Sequence, residues 1–171
     1  MPAHGGILKE LVVKGAEHWA LEQHVVALPS VVLNEAQLLD LALLLNGAFS
    51  PLDGFLNEGD WESVVRDMRL QDGTLWPMPI ILDLPSDTAG GFEPGSEIVL
   101  RDNQGFALGV LRVDSIWRPD KEREARLVFG TTDPAHPGVN HLFNKAGDTY
   151  VGGKILGLQL PSRHGLGHLS Y

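Results

Sequence analysis

Residues 47–55, Gly-Ala-Phe-Ser-Pro-Leu-Asp-Gly-Phe, restrict the fold more than any other stretch of the sequence. They join two segments with strong helix signals, and they hold two glycines, a Ser-Pro step and two phenylalanines. Glycine allows unusual φ values and proline fixes φ, so this composition is typical of a loop with one defined shape. Because the loop also carries two large aromatic side chains, we expect it to be packed.

The helix before this loop has a clear start. Asn34 is a good N-cap residue, and Gln37 three positions later approximates a capping box. Apolar residues between positions 38 and 45 lie on nearly every side, which predicts a helix buried over most of its surface. Gly47 is well placed to end it.

The helix after the loop is expected to begin at Asn57 or Asp60, since either side chain can act as the cap. Its apolar stripe has helical spacing and consists of Trp61, Val64, Val65 and Met68. A turn is predicted at 71–74, where Asp-Gly follows the helix.

Most of the remaining sequence predicts strands. Residues 97–101 and 106–117 are two strands joined by a turn with glycine at position 105. Residues 75–84 are also strand-like, but Pro77 and Pro79 lack amide hydrogens, so this strand should lie at an edge as far as position 80. Further strands are predicted at 31–33 and 149–158. Short helices are predicted at 121–127 and 139–143, and loops at 87–95 and 129–138. This order predicts an α+β domain with a partly closed, mostly antiparallel sheet.

Composition excludes several classes of function. A net charge of −9 over 171 residues argues against a nucleic-acid partner, because such binding depends on Lys and Arg. The sequence has no cysteine, which excludes disulfides, thiolate nucleophiles and zinc–thiolate sites. The first residues lack the basic and apolar parts of a signal peptide, and no apolar run is long enough to span a membrane, so a cytoplasmic protein is expected.

The histidines do not predict a metal site. His136 and His141 are five residues apart, and His164 and His168 are four apart, which is a usable helical spacing. Glycines between the last two disfavour a helix there, and no acidic residue lies near them to complete a hydrolytic zinc site. These histidines are therefore interpreted as incidental.

Three other features are interpreted as structural. Ser50 has no histidine nearby to activate it and is expected to cap a turn. Gly152-Gly153 lacks the spacing of a phosphate-binding loop and predicts a bulge or a close backbone approach. The alternating charges at 120–124 predict a solvated helix face.

A succession of motifs runs in order along most of the chain. It includes Leu28-Pro29, residues 47–55, Leu100-Arg-Asp102, Val128-Phe-Gly-Thr131, His136-Pro-Gly-Val139 and Tyr150-Val-Gly-Gly153. Together these motifs resemble the N-terminal domain of the ATP sulfurylase (sulfate adenylyltransferase) family.

The resemblance implies a PUA-like domain over residues 1–160, a β pseudo-barrel with flanking helices, followed at 161–171 by the linker where a catalytic domain would begin. The complete enzyme of that family joins sulfate to the adenylyl group of ATP, with magnesium on the nucleotide, and releases pyrophosphate. Its Gln-Thr/Ser-Arg-Asn-Pro signature and His-x-x-His motif do not occur in this sequence. The resemblance therefore implies no catalytic, cofactor-binding or metal-binding residue here.

What it implies instead is a structural or assembly role carried by packing or interface loops. The candidate residues are Gly47, Phe49, Ser50, Pro51, Gly54, Phe55, His136, Pro137 and Gly138. The expected partner is the missing catalytic domain or a homologous ATP sulfurylase subunit, and a homo-oligomer is compatible with this role. Two alternatives stay open: a PUA-like module that binds RNA, and a regulator that docks on a true ATP sulfurylase subunit.

Overall fold

A computed structural model describes residues 9–161 and shows an α+β fold, as predicted. The helices are α1 (Gly15–His24), α2 (Glu35–Leu45), α3 (Glu58–Asp67), α4 (Ser86–Ala89), α5 (Lys121–Phe129) and α6 (Pro137–Asn144). The strands are β1 (Ser30–Val32), β2 (Gly54–Phe55), β3 (Leu82–Leu84), β4 (Glu97–Arg101), β5 (Ala107–Trp117) and β6 (Thr149–Gly157). A 3₁₀ turn, Val25–Ala27, extends α1.

The described chain divides into two compact units. Unit 1 contains residues 9–54, 95–113 and 153–161, and unit 2 contains residues 55–94 and 114–152. The chain enters unit 2 twice, and both β5 and β6 contribute residues to each unit.

In unit 1 the neighbouring strands are β1, β4, β5 and β6 in that order. Strand β1 is parallel to β4, with Val31 opposite Leu100, and β4 is antiparallel to β5. The predicted β4–β5 hairpin is confirmed, with Gly105 at φ 89° in its turn. The hydrophobic core on this sheet combines Leu21 of α1 and Val25 of the 3₁₀ turn with Val99, Val110 and Leu158.

In unit 2 strand β3 pairs antiparallel with β6, placing Leu82 opposite Val151. The predicted strand at 75–84 is wrong in its first part, because only residues 82–84 form a strand. Pro77 and Pro79 have no amide hydrogen to donate to a neighbour, so the chain there stays irregular. The loop predicted at 87–95 is also corrected, since the short helix α4 occupies its first residues.

The predicted start of α2 is confirmed in detail. The Asn34 side chain accepts a hydrogen bond from the Gln37 amide at 2.8 Å, and the Gln37 side chain accepts one from the Asn34 amide at 3.0 Å. This reciprocal pair is a capping box, and it satisfies two amide groups that the first turn leaves without helical partners. Asn57 caps α3 with a single bond, which its side chain accepts from the Asp60 amide at 2.8 Å.

Removing this cap gives a first testable prediction. We expect Asn34→Ala to lower the free energy of unfolding by about 1 kcal/mol, because the Gln37 amide loses its acceptor. Asn34→Asp should retain most of the stability, since its carboxylate can accept the same bond. Urea denaturation of the three proteins measures the effect, and equal midpoints for the wild type and Asn34→Ala would contradict it.

No helix within residues 9–161 is long and apolar enough to cross a membrane.

Candidate functional site

The loop after α2 is held by the hydroxyl group of Ser50. Ser50 is 1% exposed; its Oγ donates to the Gly47 carbonyl at 2.6 Å and accepts from the Lys9 amide at 2.7 Å. Gly47 has φ 86°, a value that favours glycine. The Ser50–Pro51 peptide bond is cis. The hydroxyl thus has two backbone partners, and this geometry gives it the structural role predicted from the sequence.

The end of the same loop leaves no room for a side chain at Gly54. A Cβ atom there would collide with the carbonyl group of Gly153, so the two backbones approach closely. This is the close approach that the Gly152-Gly153 pair predicts. Phe49 is half-buried, whereas Phe55, at the start of unit 2, is only 2% exposed.

The second predicted loop, His136-Pro137-Gly138, lies at the start of α6. His136 is the N-cap, and its Nδ1 accepts a 3.0 Å hydrogen bond from the Gly138 amide. Its ring centroid lies 5.0 Å from that of Phe129, and a Cβ atom at Gly138 would lie 2.5 Å from the Phe129 ring. His136 and Pro137 are exposed, so this loop presents a braced surface. The candidate residues from Gly47 to Gly54 belong to unit 1, whereas Phe55 and the His136-Pro137-Gly138 loop belong to unit 2.

A buried carboxylate in unit 2 was missed by the sequence analysis. Glu124 belongs to the segment predicted to be a solvated helix face, but it is only 5% exposed. Trp61 Nε1 donates to its Oε1 at 2.8 Å, and the Tyr150 hydroxyl donates to its Oε2 at 3.2 Å. The prediction holds for Glu122, whose exposed side chain pairs with that of Arg126 at 3.2 Å.

The two aromatic donors to this carboxylate, Trp61 and Tyr150, pack against each other and against Trp117. The ring centroids of Trp61, Trp117 and Tyr150 are 5.8 to 6.0 Å apart, and the two pairs with Tyr150 are edge-to-face. Such pairs are favourable, and buried Trp N–H and Tyr O–H groups need acceptors. That need is the only sequence signal for Glu124, because its partners lie 63 and 26 residues away. We call Trp61, Trp117, Glu124 and Tyr150 the aromatic–carboxylate cluster.

Burial changes the acidity of both ionisable groups in this cluster. It raises the pKa of the Glu124 carboxyl, and the hydrogen bonds from Trp61 and Tyr150 offset part of that rise. Burial, together with the neighbouring Glu124 charge, also raises the pKa of the Tyr150 hydroxyl. The tyrosine is therefore a neutral donor, and Glu124 takes up a proton at a higher pH than an exposed glutamate.

The raised pKa gives a second prediction, on pH dependence. An ordinary glutamate titrates near 4.5, so above that pH the folded chain binds more protons at this site than the unfolded chain. The contribution of Glu124 to stability is then complete below the unfolded pKa and is lost as the pH rises through the folded pKa. Relative to the non-titrating variant Glu124→Gln, we expect the wild type to lose stability as the pH rises above about 4.5 and through the raised pKa of the folded state. Urea denaturation across this range measures it, and two parallel curves would contradict it.

Among the described residues, no three His, Asp or Glu side chains come together as ligands for a cation. His164 and His168 lie outside the described residues.

Comparisons with known proteins give consistent results. The sequence model of the PUA-like domain family matches residues 1–160. The sulfate adenylyltransferase of Aspergillus fumigatus is 48% identical over 158 residues, which are 90% of this chain and 27% of that protein. The sulfate adenylyltransferase of Kluyveromyces lactis is 45% identical over 165 residues, covering 94% of this chain and 33% of that protein.

Among solved structures, the hexameric APS kinase from Thiobacillus denitrificans matches with a TM-score of 0.72 and 26% identity. The match covers 94% of this chain and 27% of that one. The chain thus spans about a quarter to a third of the length of the curated relatives named above, and it corresponds to their N-terminal part.

Proposed function

This chain belongs to the PUA-like domain family, and on that premise we propose that it is a non-catalytic, structural or assembly domain of a sulfate adenylyltransferase. The observation that carries the proposal is the 48% identity with the A. fumigatus enzyme across 90% of this chain. In the complete enzyme, the sequence that follows would bind ATP, magnesium and sulfate and would form adenylyl sulfate.

The use of buried polar groups supports a structural role. The buried hydroxyl of Ser50 bonds the backbone of its own loop and of Lys9, and the buried carboxylate of Asp102 bonds backbone amides of its own turn. The buried carboxylate of Glu124 bonds two aromatic side chains. Each of these groups holds the fold together through its bonds, and none of them forms part of a nucleophile–base pair.

Assembly is the second part of the proposal. The structural relative from T. denitrificans is a hexamer, which supports an oligomeric parent enzyme for this chain. That the nine candidate loop residues form the contacts of this assembly stays a prediction. The cytoplasmic location expected from the sequence also stays a prediction.

Two assays test the function directly. The purified chain, mixed with ATP, magnesium, sulfate and pyrophosphatase, should release no phosphate. The A. fumigatus enzyme is the positive control and should release phosphate under the same conditions. A chimera with this chain in place of the matching region of that enzyme should be active. Sustained turnover by the chain alone, or an inactive chimera, would contradict the proposal. A gel shift of structured RNA at moderate salt would favour the RNA-binding alternative instead.

A further inference from the structure

Helix α1 covers its sheet only partly, and a cleft of about 440 Å³ runs along one side of it. Leu21 and Val25 face the core, whereas Trp19 is 66% exposed. The cleft is lined mainly by apolar side chains of unit 1; its lining is Val13, Glu17, Ala20, Leu21, His24 and Leu156.

A second cleft, of about 370 Å³, lies on the same unit. It is lined by Glu10, Val12, Lys14, Leu45, Asn46 and Leu160. Val12 lines this cleft and Val13 lines the first, so the two clefts flank one extended segment. That segment is fixed to the end of β6, because the Val13 amide donates to the Gly157 carbonyl at 2.9 Å and the Gly157 amide donates to the Leu11 carbonyl at 2.8 Å.

Large apolar side chains are exposed at both clefts. Leu156 is 42% exposed at the first cleft, and Leu160 is 51% exposed at the second. Exposed apolar side chains that border apolar clefts are typical of binding surfaces, whereas a lone exposed leucine is ordinary. We call the two clefts with Leu156 and Leu160 the β6-end surface.

The position of this surface along the chain identifies its occupant. Leu160 lines the second cleft, and this chain matches only the N-terminal 27% of the A. fumigatus relative, which continues beyond the match. In such a protein the polypeptide that follows leaves the domain beside the second cleft. Sequence that begins at this point needs little loop-closure entropy to reach either cleft.

We propose that the β6-end surface binds the downstream region of a sulfate adenylyltransferase polypeptide, an inference that rests on the proposed function. The charges around the clefts specify the chemistry of the contact. Glu10 and Glu17 line the clefts with one lysine, Lys14, between them, so the surface is apolar with an acidic excess. The matching segment is expected to insert aliphatic or aromatic side chains and to carry Lys or Arg beside them.

The test compares the isolated chain with the chimera described above by hydrogen–deuterium exchange. We expect amides of residues 12–24 and 154–160 to exchange at least about tenfold more slowly in the chimera, because docking suppresses local opening. The double variant Leu156→Glu/Leu160→Glu should lose this protection. In the isolated chain it should leave the melting temperature unchanged, since both side chains are exposed.

Leu127→Glu is the matched control, because Leu127 is 47% exposed but belongs to unit 2. It should leave the exchange of residues 12–24 and 154–160 unchanged. An active chimera whose exchange equals that of the isolated chain would overturn the docking proposal while leaving the proposed function standing. Self-association of the isolated chain that the double variant abolishes, measured by light scattering, would also overturn it in favour of a second copy. An inactive chimera counts against the proposed function, and the exchange comparison still reports docking.

Discussion

Replacing Gly152 by alanine is expected to lower the free energy of unfolding by about 3 kcal/mol or more, the upper end of the range for overpacking. Gly152 lies in β6, and a Cβ atom there would collide with the Leu56 carbonyl oxygen and lie 2.7 Å from the Asn57 Cα atom. Both neighbours are backbone atoms directly before α3, so neither can move aside by changing a rotamer. The steric clash can be relieved only if β6 moves away from that segment.

Gly91→Ala is the control for this effect. Its Cβ atom would meet its nearest neighbour, the Thr88 carbonyl oxygen, at 3.7 Å, which is ordinary van der Waals contact. We expect its stability to stay within about 0.5 kcal/mol of the wild type. Urea denaturation with tryptophan fluorescence as the probe measures both variants. A Gly152→Ala protein as stable as Gly91→Ala would show that the β6 backbone adjusts freely.

Glu124→Ala is expected to lower the free energy of unfolding by about 2–4 kcal/mol. The change leaves the Trp61 N–H and the Tyr150 O–H without their acceptor in the core, and each unsatisfied donor costs about 1–3 kcal/mol. Removing the buried carboxylate also removes the free energy of desolvating it, which offsets part of this loss. The loss should still exceed the gain, because two donors are left and a small cavity forms.

Glu124→Gln separates these contributions. Its amide oxygen can accept from Trp61 Nε1, and its amide nitrogen can donate to the Tyr150 oxygen, so both contacts persist without a charge. We expect it to remain within about 1 kcal/mol of the wild type near neutral pH. Denaturation curves of the three proteins measure the series. Equal losses in the alanine and glutamine variants would show that the hydrogen bonds of the cluster contribute little.

Local signals explain what could be predicted from the sequence. The capping box at Asn34 and Gln37 and the turn at Gly105 each depend on residues a few positions apart, and both were located correctly. The last strand was predicted at 149–158 and is observed as Thr149–Gly157. In these segments the periodicity, the caps and the turn chemistry all favour the same structure.

Features that depend on distant residues were not predicted. Helix α1 has no apolar stripe, because Leu21 is the only residue that it buries. Glu124 is buried through partners that lie far away in the sequence, so a local charge pattern suggested solvent exposure. The candidate loops were chosen for their backbone chemistry, and that chemistry explains their bracing by Ser50 and His136. It does not identify which partner contacts them.

The division of β5 and β6 between the two units has a consequence for synthesis on the ribosome. Chains are made from the N-terminus at about 5–20 residues per second, and domains tend to fold as units. Unit 2 lacks part of its sheet until Gly152 has been made, and unit 1 needs residues that come later still. Until β6 has been made, β3 lacks its strand partner and β5 lacks one of its two, so neither unit can be completed before the end of this region has been translated.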